Sequence, residues 1–125
     1  MGAIENIIEH KKHAEKKFMG CISIGSSEDN NFINQYRWLK PEHFTDIKCK
    51  SVWSLILDGK GYSEAAIQSG CYNDAIGWMT ESTITFYDAE AFAKTIMDDH
   101  FLINSIDTCT DIVKAALNRD KISVI

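Results

Sequence analysis

The sequence predicts an all-α domain, a small bundle of five to six helices that ends in one long C-terminal helix. Three observations carry that expectation. Apolar residues recur at three- and four-residue intervals through most of the 125 positions. No alternating strand pattern of useful length occurs apart from residues 122–125, a stretch too short to judge. Neither Gly nor Pro interrupts residues 88–118.

The length suits one domain, residues 1–125, with a globular part over about 8–84 and a long helix over about 85–118. The first helix is expected over residues 4–24. Ile4, Ile7, Ile8, Ala14, Phe18, Cys21 and Ile22 form its inner face, and Lys11, Lys12, Glu15, Lys16 and Lys17 form its solvated side. Gly25, Ser26 and Ser27 supply a stop and a turn. A second short helix begins at Phe32 with Ile33, Tyr36 and Trp38 turned inward, and it ends near Leu39 because Pro41 disfavours helical geometry at Lys40.

Thr45 is the expected N-cap of a third helix with Ile47, Val52, Leu55 and Ile56 inward, closed by Gly59 and Gly61. A brief helix follows from Tyr62 or Ser63 to Ser69, where Gly70 stands as the left-handed closing residue. The next opens at Asn73, holds Ala75, Ile76, Trp78 and Met79, and stops in the polar and β-branched run 81–84. Thr85 with Asp88 resembles a capping box for the last helix. At 1.5 Å per residue that helix, some 30 residues long, reaches about 45 Å, against a gyration radius of about 14 Å for a domain of this size, so it is expected to protrude.

On the last helix, positions 89, 92, 96, 99, 103, 106, 110, 113 and 117 step alternately by three and four and hold Ala, Phe, Ile, Asp, Ile, Ile, Thr, Val and Leu. Leu102, Cys109, Ile112 and Ala116 widen the stripe. The expected interface residues are Phe92, Ile96, Leu102, Ile103, Ile106, Val113 and Leu117. The alternative is a break near 104–108 that folds the segment back as two core helices. The expected core is Ile22, Phe44, Val52, Trp53, Ile56, Ile76, Met79 and Phe92.

Composition excludes several functions. A net charge of -5 leaves little means of neutralising phosphates, so direct DNA binding is not expected. No apolar run approaches the ~20 residues of a membrane span, and the opening lacks a secretory pattern. Cys21, Cys49, Cys71 and Cys109 form no close pairs, which fits reduced thiols in the cytoplasm that pack as small hydrophobes. A phosphate loop is absent: in Gly59, Lys60, Gly61, Tyr62, Ser63 the lysine precedes the second glycine, and the segment is a helix stop.

His10 and His13, with Glu9 nearby, have helical metal-ligand spacing, but no second close pair of His or Cys accompanies them, so they are expected to be solvated. His43 and His100 stand alone in sequence, and Asp98 with Asp99 fits a solvated face. Trp38, Trp53, Trp78, Phe18, Phe44 and Phe92 occupy inward positions and are expected to be core rather than a base-stacking platform. No catalytic residue, cofactor or metal is expected. A small enzyme using His10, His13 or a buried cysteine is the competing class, and an unrelated helical regulator is a third.

Five segments in order resemble a known family. Ala14, Glu15, Lys16, Lys17, Phe18, Met19, Gly20, Cys21 and Ile22 are similar to the opening helix of the N-terminal domain of DnaB-family replicative DNA helicases. Leu39, Lys40, Pro41, Glu42, His43 and Phe44 resemble its Leu-x-Pro-acid-x-Phe segment, and residues 48–57 its helix with a basic residue before an apolar and aromatic pair, here Val52 and Trp53. Gly70, Cys71 and Tyr72 with residues 75–79 are similar to its glycine turn and short helix, and residues 88–96 with Phe101, Leu102, Ile103 and Ile106 to its long helix. The likeness spans about 12–117.

The chain departs from that pattern where residues 59–62 replace a Pro-Ile-Asp-like segment, and it lacks the motor domain and the second long helix of the family's hairpin. The resemblance implies a non-catalytic collar domain that dimerises and docks primase or a helicase loader. A free-standing regulator that binds helicase, loader or primase is the alternative it implies.

Overall fold

The computed structural model describes residues 2–28, 31–81 and 88–123. Within them the fold is all-α, with no strand: α1 (Ala3–Glu28), α2 (Ile47–Leu57), α3 (Tyr62–Gln68), α4 (Tyr72–Glu81) and α5 (Ala89–Ser123), plus two 3-10 turns at Phe32–Tyr36 and Pro41–His43. α1 lies against both α4 and α5, and α3 bridges α2 and α4.

The core is an aromatic cluster centred on Phe18 of α1. Its ring meets Trp53 edge-on at 5.2 Å and Tyr36 edge-on at 5.5 Å, with Phe44 at 6.2 Å. Such pairs add to the area they bury, because a positive ring edge meets a negative face. Trp53 satisfies its buried indole N–H by donating to the Leu39 carbonyl at 2.7 Å, which fastens the chain after the first 3-10 turn onto α2.

Several local expectations are corrected. Gly25 does not stop α1: it lies inside the helix, where a Cβ would stand 2.2 Å from the Phe32 ring, so glycine is required there for close approach rather than for a turn. The segment from Phe32 is a 3-10 turn, with Phe32 and Tyr36 inward but Trp38 44% exposed.

Asp46, not Thr45, caps α2, its carboxylate accepting the Lys48 and Cys49 amides at 3.0 Å each. As the first residue of α2, Ile47 then points away from the core and is 78% exposed. In α4 the inward residues are Ala75 and Trp78, which leaves Ile76 and Met79 outside the core at 40% and 43% exposure. Phe92 is half-buried against the core. Gly59 and Gly70 both have the positive φ expected of closing glycines, 102° and 73°.

The largest departure lies on α1. Lys11 and Glu15, expected on the solvated side, are completely buried. The Glu15 carboxylate accepts the amides of Thr45 (2.9 Å) and Asp46 (2.8 Å), while Lys11 Nζ donates to Glu15 (2.9 Å), to the Thr45 hydroxyl (2.9 Å) and to the His43 carbonyl. With its hydroxyl and amide so engaged, Thr45 is a binding partner of α1 rather than a cap. The pair knits the loop before α2 onto α1, and each side-chain nitrogen and oxygen it brings inside has a hydrogen-bond partner, the condition under which buried charge is tolerated.

Candidate interaction surface

α5 is unbroken across 104–108, so the fold-back alternative is excluded, and at 35 residues it extends about 52 Å. Its near half is part of the globule. Ala89, Ala93 and Ile96 are fully buried, Phe92 and Met97 pack at the edge of the core, and Lys17 Nζ lies 5.7 Å from the centre of the Phe92 ring. The capping residue expected at Thr85 lies outside the described residues.

Where α5 leaves the globule, two histidine contacts tie it down. His10 Nδ1 on α1 lies 2.7 Å from the Asp99 carboxylate. Asp99 is therefore not solvated: its side chain is only 14% exposed. His43 and His100, isolated in sequence, meet edge to face at 4.9 Å. His43 Nδ1 accepts the Lys40 amide at 2.9 Å, which fixes that nitrogen as the unprotonated one. Burial holds both imidazoles below their ordinary range; Lys11 pushes both the same way, Glu42 opposes it, Lys40 adds at His43, and His43 itself adds at His100.

Beyond this root the stripe continues without a partner among the described residues. Ile103 and Ile106 are half-buried, and from residue 107 to 119 every side chain is exposed. Ile106, Cys109 and Val113 share one face with Ser105, Thr110 and Lys114, while Leu102, Ile112 and Leu117 are also exposed. Of the residues read as interface from the sequence, the structure places Ile96 inside the monomer core and Phe92 at its margin. Leu102, Ile103, Ile106, Val113 and Leu117 lie on the projecting half. Charge is sorted along this segment, with Asp107 and Asp111 preceding Lys114 and Arg119.

Chemistry elsewhere is sparse. Cys21, Cys49 and Cys71 are buried and Cys109 is exposed. Desolvation, with Asp88 adding to it, pushes the Cys21 thiol up to about 11, and burial raises Cys49 further, so neither is poised as a nucleophile. Among the described residues no three His, Cys, Asp or Glu side chains converge as metal ligands, and no helix is long and apolar enough to cross a membrane.

Two concavities flank the bundle. One of 720 Å³ is bordered by Arg37, Lys60, Gly61 and Tyr62 over a floor that includes Ile22 and Ile56. The other, of 480 Å³, lies between α1, the start of α2 and α4.

The charged residues on α1 were legible in principle. Positions 4, 8, 11, 15, 18 and 22 step by four and three, so Lys11 and Glu15 occupy slots of the inner stripe itself. Compared with protein-family models, with curated proteins and with solved structures, the chain has no match in any of the three.

Proposed function

We propose that the chain is a non-catalytic protein-interaction domain whose projecting helix pairs with the same helix of a second copy. One observation carries this reading: an apolar stripe that is buried against α1 in its near half runs on, in register, into a half that from residue 107 to 119 is exposed and covered by none of the described residues. An exposed helix with that pattern loses free energy to water until another helix packs on it.

Charge favours an antiparallel arrangement. With Ile106 opposite Leu117 and Thr110 opposite Val113, Asp107 of one copy comes beside Lys114 of the other, whereas parallel pairing sets like charges at equal heights.

The DnaB-like motifs supply the setting: a collar-type unit of the replication machinery in the cytoplasm, with primase, helicase or a helicase loader as further partners. The net charge of -5 supports protein rather than DNA as the ligand.

Sedimentation equilibrium tests the self-association. The wild-type chain of 14.1 kDa should sediment above its monomer mass and the Ile106→Glu variant at it. A wild-type chain that stays monomeric at every concentration refutes the pairing.

A further inference from the structure

The 480 Å³ groove between α1, the start of α2 and α4 holds two features that neither the core nor α5 explains. Lys12 and Lys16 stand one helical turn apart on its α1 wall, and neither has a carboxylate partner among the described residues. Like charges at that spacing repel one another along a helix, so the fold keeps them there at a small cost in stability. Ile47, at the start of α2, lines the same groove and is more exposed than any other large hydrophobic side chain described.

Lys48 also lines the groove and is held at 3.2 Å by Asp74, and Trp78 contributes an apolar wall. Gly77 also lines the groove, and an added Cβ there would meet nothing within 4 Å. A pair of cations with no carboxylate partner among the described residues therefore shares one groove of 480 Å³ with an uncovered isoleucine.

We propose that this groove is a docking site for an acidic, amphipathic segment of a partner protein. Carboxylates of the segment pair with Lys12 and Lys16, and an apolar side chain between them covers Ile47. Charge complementarity selects the occupant. Within a chain of net charge -5 this is a local basic pair beside an apolar surface, which matches alternating acidic and apolar residues. Asp46 and Asp74 also line the groove, but Asp46 is engaged in capping α2 and Asp74 in holding Lys48, which leaves Lys12 and Lys16 as the charges a segment would meet.

The site is separate from the projecting half of α5, so it stands or falls independently of self-association. A short fluorescent peptide of alternating Glu and Leu is the probe, with its Lys and Leu counterpart and an oligo(dT) strand as competitors, read by fluorescence anisotropy. The Glu/Leu peptide should bind saturably, and each of Lys12→Glu, Lys16→Glu and Ile47→Asp should weaken it about tenfold, as expected for loss of a charge pair or an apolar anchor.

Lys114→Glu, the same charge change on the far half of α5, should leave the affinity unaltered. Lys16→Gln, which removes charge without reversing it, gives a smaller loss in a variant whose helical circular dichroism matches wild type. No binding by the peptide, binding indifferent to Lys12, Lys16 and Ile47, or displacement of the peptide by oligo(dT) would overturn the proposal.

Discussion

Replacing Lys11 by Met removes one partner of a completely buried ion pair while keeping most of its volume. Glu15 would keep the amides of Thr45 and Asp46 but lose its counter-ion, and the His43 carbonyl and Thr45 hydroxyl would lose a donor. Stranding a buried charge in this way costs about 3–5 kcal/mol, a large part of the roughly 5–15 kcal/mol that holds a domain together. An unfolding entropy of about 2.1 cal/mol/K per residue gives about 0.26 kcal/mol/K for 125 residues, so the midpoint should fall by roughly 10–20 °C.

Glu15→Leu should be worse than Lys11→Met, because it also orphans two backbone amides at about 1–3 kcal/mol each. Differential scanning calorimetry with urea titration reads both variants. A Lys11→Met midpoint within about 3 °C of wild type, less than about 1 kcal/mol, would show that the lysine reaches water and that the loop before α2 is held by something else.

Gly25→Ala should lower stability although alanine is the better helix former: the gain of about 1 kcal/mol is outweighed by the overlap with the Phe32 ring, for which about 1–3 kcal/mol is typical, and a raised midpoint would contradict the packing. Acid should destabilise the fold through His43 and His100. Their pKa values are lowered by folding, so their contribution is complete above the unfolded value of about 6.5 and declines as pH falls below it; the melting temperature should drop from about pH 7 to about pH 5, and His43→Gln with His100→Gln should flatten that slope. Cys109 should be the thiol that reacts with a disulfide reagent in the native protein, with Cys21, Cys49 and Cys71 released only by denaturant. In the antiparallel pair Cys109 comes on the same flank as Ala116 of the second copy, so Ala116→Cys should form a disulfide-linked dimer on oxidation, and no such linkage in that variant would count against the antiparallel register.

The helical class and the unbroken last helix were legible because periodicity and the absence of Gly and Pro over residues 88–118 are local properties. The stop at Gly70 was legible for the same reason, since its left-handed backbone belongs to one residue. What the sequence hid depends on contacts across the fold. The inner positions of Lys11 and Glu15 can be read from the α1 stripe, but the amides and carbonyl that satisfy them there belong to the loop at 43–46 and cannot. Gly25 reads as a helix stop unless the ring of Phe32 is placed against it. Ile76 and Met79 fit an inward pattern on α4, yet the short helix packs on α1 and α3 through its Ala75 and Trp78 face. His43 and His100 are 57 positions apart, and only the approach of α5 to the second 3-10 turn joins them. For the projecting half of α5 the stripe was visible in sequence, and the structure adds that no part of the described monomer reaches it beyond residue 107.

Hydrogen exchange followed by mass spectrometry, from low micromolar to millimolar protein, tests directly whether that half is covered by a second copy. Amides of residues 103–119 should slow as concentration rises while those of α1 to α4 stay constant, and Ile106→Glu should abolish the effect. Rapid, concentration-independent exchange over 103–119 would contradict a self-pairing helix.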